Sequence, residues 1–329
     1  MTATILATGF YNAPYSYLFD PSDLSFLSLW DYGPTHRAYS VAFTPDSSKL
    51  FIGIDDPPFL YCWNTSDWTR QTVSAGDTLY DAKKIRISPD SKYIGYVSTS
   101  RLLFIIDVDT LVITHLSNVS SVTSLCWSPD SKTLYARAHS ESSLFLCDAD
   151  NSWAHTTSPI TGNTNRWLDF AYVDIDGGYF AVALKGAPYF QIRNTATLTE
   201  QILPTVLHTE ECADQAEISV SSNNKYVAVP AYASPGLLVY DTSSFPWQKL
   251  PDPPDAGYTR VDGTCFDGSD LLAIHRRNDD AVTIYNIPSM TINQSLATGN
   301  VTYTLSFNGQ GDVEESSVKP NPLFFGQDF

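Results

Sequence analysis

The chain is 329 residues long and carries 36 acidic against 19 basic residues, a formal net charge of -17. Such a surface repels a phosphate backbone, so nucleic acid is not an expected partner. Its five cysteines, Cys62, Cys126, Cys147, Cys212 and Cys265, form no CxxC pair and mostly sit in apolar runs, which points to buried free thiols rather than a disulfide framework or a zinc site.

At the N-terminus, Met1 to Leu6 shows no basic segment followed by an apolar one, so no secretory signal is expected, and no apolar run reaches the roughly 18 residues of a membrane span. Thr4 to Phe10 alternates loosely, Asn12-Ala13-Pro14 breaks the run, and Tyr15 to Phe19 leads into Asp20. The same layout returns as Leu50 to Ile54, Asp55 to Pro58, Phe59 to Trp63 and Asn64. In both copies a few small or polar residues follow the Asx, and a large apolar residue then opens the next strand.

Seven copies of this pattern start at Asp20, Asn64, Asp107, Asp148, Asn194, Asp241 and Asn286, spaced 41 to 47 residues apart, and end at Leu24, Trp68, Leu111, Trp153, Leu198, Phe245 and Met290. An Asx side chain accepts a hydrogen bond from the amide two residues on and closes a turn between antiparallel strands. Each copy therefore predicts a hairpin, and the period is that of a four-stranded propeller blade.

A further strand precedes these three in every copy but the first. Tyr39 to Phe43 meets Thr44-Pro-Asp-Ser-Ser-Lys49; Ile85 to Ile87 meets Ser88-Pro-Asp-Ser-Lys92; Leu125 to Trp127 meets Ser128-Pro-Asp-Ser-Lys132. Proline presets the first turn position and Asp or Ser supplies local hydrogen bonds. Later versions are Asp174 to Gly178, Ser221 to Lys225 and Phe266 to Ser269, and the last is Thr302 to Phe307 with Asn308-Gly309. The fold expected is all-β: a seven-bladed β-propeller over 1–309, closed by pairing of a strand near Tyr303 to Phe307 with three N-terminal strands, then a C-terminal tail over 310–329.

Candidate contact residues come from what the repeat leaves over. Leu323 to Phe329 ends a polar segment with Phe324, Phe325 and Phe329, apolar anchors suited to docking. Trp68, Trp153 and Trp247 follow the Asx turns and read as packing between blades, whereas Trp30 and Trp167 lie in or beside blade connections and are candidate partner contacts. Lys83-Lys84 with Arg86, and Arg276-Arg277, read as exposed turn charges, and the six histidines as surface or loop residues. Asp148 to Asn151 and Asp174 to Gly178 invite a calcium reading but coincide with repeat turns. No P-loop, GxGxxG, GxSxG or HExxH motif is present, and neither cofactor nor metal is expected.

From Pro14 to Phe307 the sequence resembles WD40/YVTN-type β-propellers, through Ser-Pro-Asp-Ser-Lys and strand endings such as Ile106-Asp-Val-Asp-Thr110 and Tyr240-Asp-Thr-Ser-Ser244. Gly-His and Trp-Asp are missing from their usual WD40 positions. Pro58 to Trp68, echoed by Pro188 to Thr195, looks more like short propeller proteins of tailed bacteriophages. That resemblance implies a non-enzymatic virion component of head or tail, assembled in the host cytoplasm. It would occur in several copies and contact other virion structural proteins or a host surface receptor. The rival expectations are an intracellular protein-binding scaffold and a lactonase-like hydrolase. The latter requires His, Asp, Glu or Arg side chains converging at the axis.

Overall fold

The computed structural model describes residues 5–10, 15–31, 37–73, 82–116, 119, 121–138, 143–160, 167–176, 178–185, 189–200, 217–232, 236–254, 260–268, 271–277, 280–298 and 302–308. The expected tail, with Phe324, Phe325 and Phe329, lies outside them. Strands β1 (Leu6–Phe10), β2 (Tyr15–Phe19) and β3 (Phe26–Asp31) open the chain. A second sheet holds β4 (Ala38–Phe43), β5 (Lys49–Ile54), β6 (Leu60–Asn64) and β7 (Arg70–Thr72). The third holds β8 (Ala82–Ile87), β9 (Tyr93–Ser98), β10 (Leu103–Asp107) and β11 (Ile113–Leu116). The fourth holds β12 (Val122–Trp127), β13 (Thr133–Ala138), β14 (Ser143–Asp148) and β15 (His155–Pro159).

The fifth sheet has β16 (Trp167–Val173), β17 (Tyr179–Leu184) and β18 (Phe190–Asn194), with a single bridge from Arg193 to Glu200 where a fourth strand would begin. The sixth has β19 (Ser219–Val220), β20 (Tyr226–Pro230), β21 (Leu237–Asp241) and β22 (Gln248–Lys249). The seventh has β23 (Val261–Phe266), β24 (Leu271–Arg276), β25 (Ala281–Asn286) and β26 (Thr291–Ala297), and β27 (Thr302–Phe307) follows. All pairings within the sheets are antiparallel, and β27 joins the first three strands in the order β27-β1-β2-β3, with Leu6 opposite Phe307 and Thr8 opposite Leu305. These seven sheets are the blades of a β-propeller; blade 1 is the composite one and blades 2 to 7 follow in chain order.

Seven apolar clusters hold the blades, one at each interface. Between blades 7 and 1, Leu6, Phe19, Leu24, Leu305 and Phe307 pack on Cys265, Ala273, Val282 and Ile284. Between blades 2 and 3 the sheets approach so closely that a Cβ on Gly53 would lie 2.1 Å from that of Ala82.

The Asx turns take the geometry their sequence calls for. The amides of Ser22, Asp109, Asp150, Ala196 and Ser243 donate to the carboxylate or amide oxygen two residues back, at 2.8 to 3.1 Å. What the pattern does not announce is the conformation of the large residue that ends the turn. Leu24, Trp68, Leu111, Trp153, Leu198 and Met290 all have left-handed backbones with φ between 54 and 64°. For a branched or aromatic residue that conformation costs about 1–2 kcal/mol. Burying such a side chain gains about 1.5–3 kcal/mol, and five of the six are at most 6% exposed, so inter-blade packing outweighs the strain. Blade 6 departs from the pattern: Phe245 is 48% exposed and Trp247, two residues on, is the buried one.

The Ser-Pro-Asp-Ser-Lys turns do more than reverse the chain. Their fourth residues, Ser47, Ser91 and Ser131, and Asn224 in the degraded copy, have φ of 56 to 62°. From there Ser91 Oγ accepts from the Asp46 amide at 3.2 Å, Ser131 Oγ from the Asp90 amide at 2.9 Å, and Asn224 Oδ1 from the Asp174 amide at 3.0 Å. Each bond joins one blade's turn to the next. Ser91→Ala is expected to lower unfolding free energy by about 1 kcal/mol, the worth of one such bond. Ser91→Gly should lower it by less, because glycine relieves the left-handed backbone. Urea unfolding of the two variants checks this, and a Ser91→Ala curve superimposed on the parent would refute the staple.

Candidate functional site

The innermost strands β4, β8, β12, β16 and β23 each carry a bulge in their pairing with the next strand, at Ala38/Ser40, Ala82/Lys84, Val122/Ser124, Trp167/Asp169 and Val261/Thr264. A bulge re-aims the side chain that follows it. Those side chains, Ser40, Lys84, Ser124, Asp169 and Thr264, meet around the axis.

Asp169 is at their centre and is fully buried. Its Oδ1 accepts from Lys84 Nζ at 2.5 Å and from Ser124 Oγ at 2.7 Å, and its Oδ2 from the Ile218 amide at 2.9 Å and from Arg86 at 3.2 Å. Arg86 also donates to Glu217 Oε1 at 3.1 Å, and Thr304 Oγ1 donates to Glu217 Oε2 at 3.2 Å. Thr264 donates to the Glu217 carbonyl at 2.7 Å, Ser40 accepts from the Ile85 amide at 3.0 Å, and the Val41 amide donates to Thr304 at 3.4 Å. All seven blades thus contribute to one network. Lys84 reaches past blade 4 to blade 5, and Arg86 reaches blade 6, so the axis is filled at this level.

Burial penalises the Asp169 carboxylate, but Lys84, Arg86 and Ser124 outweigh that and hold it below the ordinary carboxylate range. Burial also pushes the Lys84 ammonium down, with Asp169 opposing. Because a carboxylate offers about four lone-pair sites and Asp169 has four donors, it has no capacity left to act as a base or ligate a cation. Among the described residues no group of His, Cys, Asp and Glu side chains could hold a metal ion.

The expected exposed turn charges Lys84 and Arg86 are therefore corrected. They stand on β8, not in a turn, because strand alternation after the bulge sends them inward. Arg277 and Arg260 similarly hold the buried Asp262, at 3.3 and 2.6 Å. Beside them His275, expected at the surface or in a loop, is buried on β24; burial first, then Arg277, Arg260 and Arg276, push it to about 3. Asp148 and Asp150 act as turn residues, with Lys132 paired to Asp150 at 2.8 Å. Cys62, Cys126, Cys147 and Cys265 are buried free thiols, and burial raises Cys147 to about 12; Cys212 is outside the described residues.

Of the candidate contact residues, Trp30 belongs to β3 with its side chain outside the description. Trp167 is 1% exposed, packed among Phe170, Phe180 and Leu184 between blades 4 and 5, and as a partner contact it is corrected. Its place at the start of an innermost strand, rather than in the preceding loop, buries it. Exposed aromatics lie elsewhere, at opposite ends of β21. Phe245 (48%) stacks on Tyr179 with ring centroids 6.0 Å apart, and Tyr232 (53%) carries the Arg260 guanidinium 5.1 Å from its ring.

No protein-family model matches the chain, and no curated protein matches it in sequence. Solved propeller-like structures do match. A functionally unknown protein from Desulfotomaculum acetoxidans has a TM-score of 0.73 at 13% identity, over 93% of this chain and 99% of that one. U3-55K follows with 0.64 at 13% identity, over 85% and 88%. Kuenenia stuttgartiensis hydrazine synthase gives 0.61 at 16% identity, over 76% of each. At these identities the likeness establishes the fold alone.

Asp169→Asn is expected to cost about 3–5 kcal/mol at pH 7, since it leaves the buried Lys84 without its counter-charge. Guanidinium unfolding measures it, and a loss under 1 kcal/mol would show the network to be dispensable. Asp169 and His275 both lose stability as pH falls, whereas Asp262, which burial raises despite Arg260 and Arg277, contributes with the opposite sign. Asp169 binds its proton less readily folded than unfolded, so its contribution is complete above about pH 4 and lost as pH falls through the depressed value. His275, lowered from 6.5 to about 3, costs stability as pH falls between those values. His275→Gln should therefore flatten the stability profile between pH 6.5 and 4 and leave the fall below pH 4 in place.

Proposed function

We propose that this propeller is a non-enzymatic module that binds protein partners, and that it serves as a structural or adhesion component of a bacteriophage particle. The non-enzymatic part rests on one observation: the carboxylate at the axis, where this fold would gather a catalytic constellation, already accepts four hydrogen bonds within the protein. Such a centre braces the blades and leaves recognition to the surface. Rigid presentation of exposed aromatics suits that role, since a few aromatic or arginine anchors dominate most interfaces. Tyr232 with Arg260, and Phe245 with Tyr179, supply such anchors, and the proposal adds Trp30, Phe324, Phe325 and Phe329 to them.

The virion assignment is supported by the resemblance of Pro58 to Trp68 and Pro188 to Thr195 to phage propellers. Its partners would be neighbouring virion proteins and a host receptor. Affinity capture from the native source, read by mass spectrometry, tests it with the full chain, a chain ending at Gly309, and a Tyr232→Ala, Phe245→Ala double variant. Full-length protein should recover head or tail proteins, and the truncated or doubly substituted chain should lose at least tenfold of them. Recovery of cellular proteins alone would replace the virion reading with a scaffold. Lactone hydrolysis abolished by a folded Glu217→Gln variant would overturn the non-enzymatic one.

A further inference from the structure

Away from the axis, between blades 4 and 5, four polar side chains crowd together at 1% exposure or less: Arg137 from β13, Trp167 from β16, and Gln191 and Arg193 from β18. The guanidinium carbons of Arg137 and Arg193 each lie 5.8 Å from the centre of the Trp167 ring. Arg193 Nε donates to Gln191 Oε1 at 3.0 Å, which fixes the orientation of that amide and commits its oxygen. Arg193 also donates to the Leu198 carbonyl at 2.7 Å, and Arg137 to the Ala138 carbonyl.

Among the described residues, Trp167 Nε1 and Gln191 Nε2 have no acceptor. Buried N–H groups are paired in nearly every native structure, by protein, water or ligand. The groups assembled here are donors or, in the case of Gln191 Oε1, an acceptor already in use. A water molecule would accept from the orphaned N–H groups but must itself donate, and the one side-chain acceptor among these four residues, Gln191 Oε1, already takes the Arg193 proton on one of its two lone pairs. An acceptor-only species is the better complement. Positive charge favours it as well, since burial holds Arg193 below the usual guanidinium range even with Glu200 nearby.

We propose that Trp167 Nε1 and Gln191 Nε2, flanked by Arg137 and Arg193, bind a compact anion between blades 4 and 5: a halide or the carboxylate of a small molecule. The inference stands on the two orphaned N–H groups, not on spare capacity of the guanidinium groups, which have further contacts. It is independent of the partner-binding role of the surface.

Thermal unfolding of the full chain at constant ionic strength tests it, with bulky isethionate replaced stepwise by chloride, bromide or acetate. A saturable rise in Tm with one or more of these is expected, following ligand linkage. Response to halides alone assigns an inorganic anion, and a larger response to acetate assigns a carboxylate ligand. Gln191→Glu, which keeps the acceptor for Arg193 and puts a carboxylate oxygen where the donor was, and Trp167→Phe, which removes the indole donor and some ring volume, should each weaken the apparent affinity at least tenfold. In isethionate alone Gln191→Glu should be as stable as the parent or more so, because an unpaired donor has gone and its carboxylate still accepts from Arg193; a merely structural role would make it less stable. Trp167→Phe should lose stability by its cavity equally in every anion and, unlike the parent, gain little from the added one. A bromide-soaked crystal should show an anomalous peak within hydrogen-bond distance of Trp167 Nε1. A Tm that follows ionic strength alone, or a parent-like response in both variants, would overturn the proposal.

Discussion

A carboxylate removed from water survives only where its lone pairs are filled, and Asp169 meets that condition by drawing donors from three other blades: Lys84 and Arg86 from the third, Ser124 from the fourth, and the Ile218 amide from the sixth, around its own place in the fifth. The requirement works in both directions. The buried Lys84 ammonium depends on Asp169 beside it, and the Asp169 carboxylate is held ionised by Lys84, Arg86 and Ser124. Removing Asp169 leaves the buried Lys84 uncompensated, and the network ties together blades that make no sheet hydrogen bonds with one another. Directional polar contacts of this kind specify register, which apolar packing between flat sheets does poorly.

Around that centre the same economy of form is repeated at the rim. Left-handed residues close the Asx hairpins and the Ser-Pro-Asp-Ser-Lys turns, and in both cases the strain is offset by a contact with the adjacent blade. In the first it is a buried leucine, methionine or tryptophan; in the second, a side-chain oxygen that accepts from the preceding turn. Local conformation and inter-blade contact are therefore coupled in blades 3 and 4, through Leu111 with Ser91 and Trp153 with Ser131. A residue chosen only for its turn propensity would fail one of the two demands.

Saturation of the axial carboxylate also shapes what the molecule can do. A propeller with free acids at its axis is equipped for acid–base chemistry or cation binding; here the lone pairs of Asp169 are filled internally, and Glu217 accepts from Arg86 and Thr304. Trp167 Nε1 and Gln191 Nε2, between blades 4 and 5, are among the donors left over, and the exposed aromatic rings Tyr232 and Phe245 flank β21. Tyr232 and Phe245 were not legible as contacts. Phe245 occupies the repeat position that holds a buried apolar residue in the other blades, and only the two extra residues before Trp247 displace it outward.

Strand order, hairpin positions and blade number could be read from the sequence because each depends on residues close together in the chain. An Asx followed by small residues makes the same turn wherever it occurs, and seven copies imply seven blades. The axial network could not be read in that way. Lys84 and Asp169 are 85 residues apart, their side chains turn inward only because a bulge shifts the alternation, and Lys83-Lys84 with Arg86 looks locally like any solvated cluster of charges. Nor could burial of Trp167 and His275 be seen, since both depend on how one sheet lies against the next. Local hydrogen bonding determined the repeat, and ring closure, which brings distant innermost strands to a common axis, decided which of its residues face water, which face each other and which are left with a donor to fill.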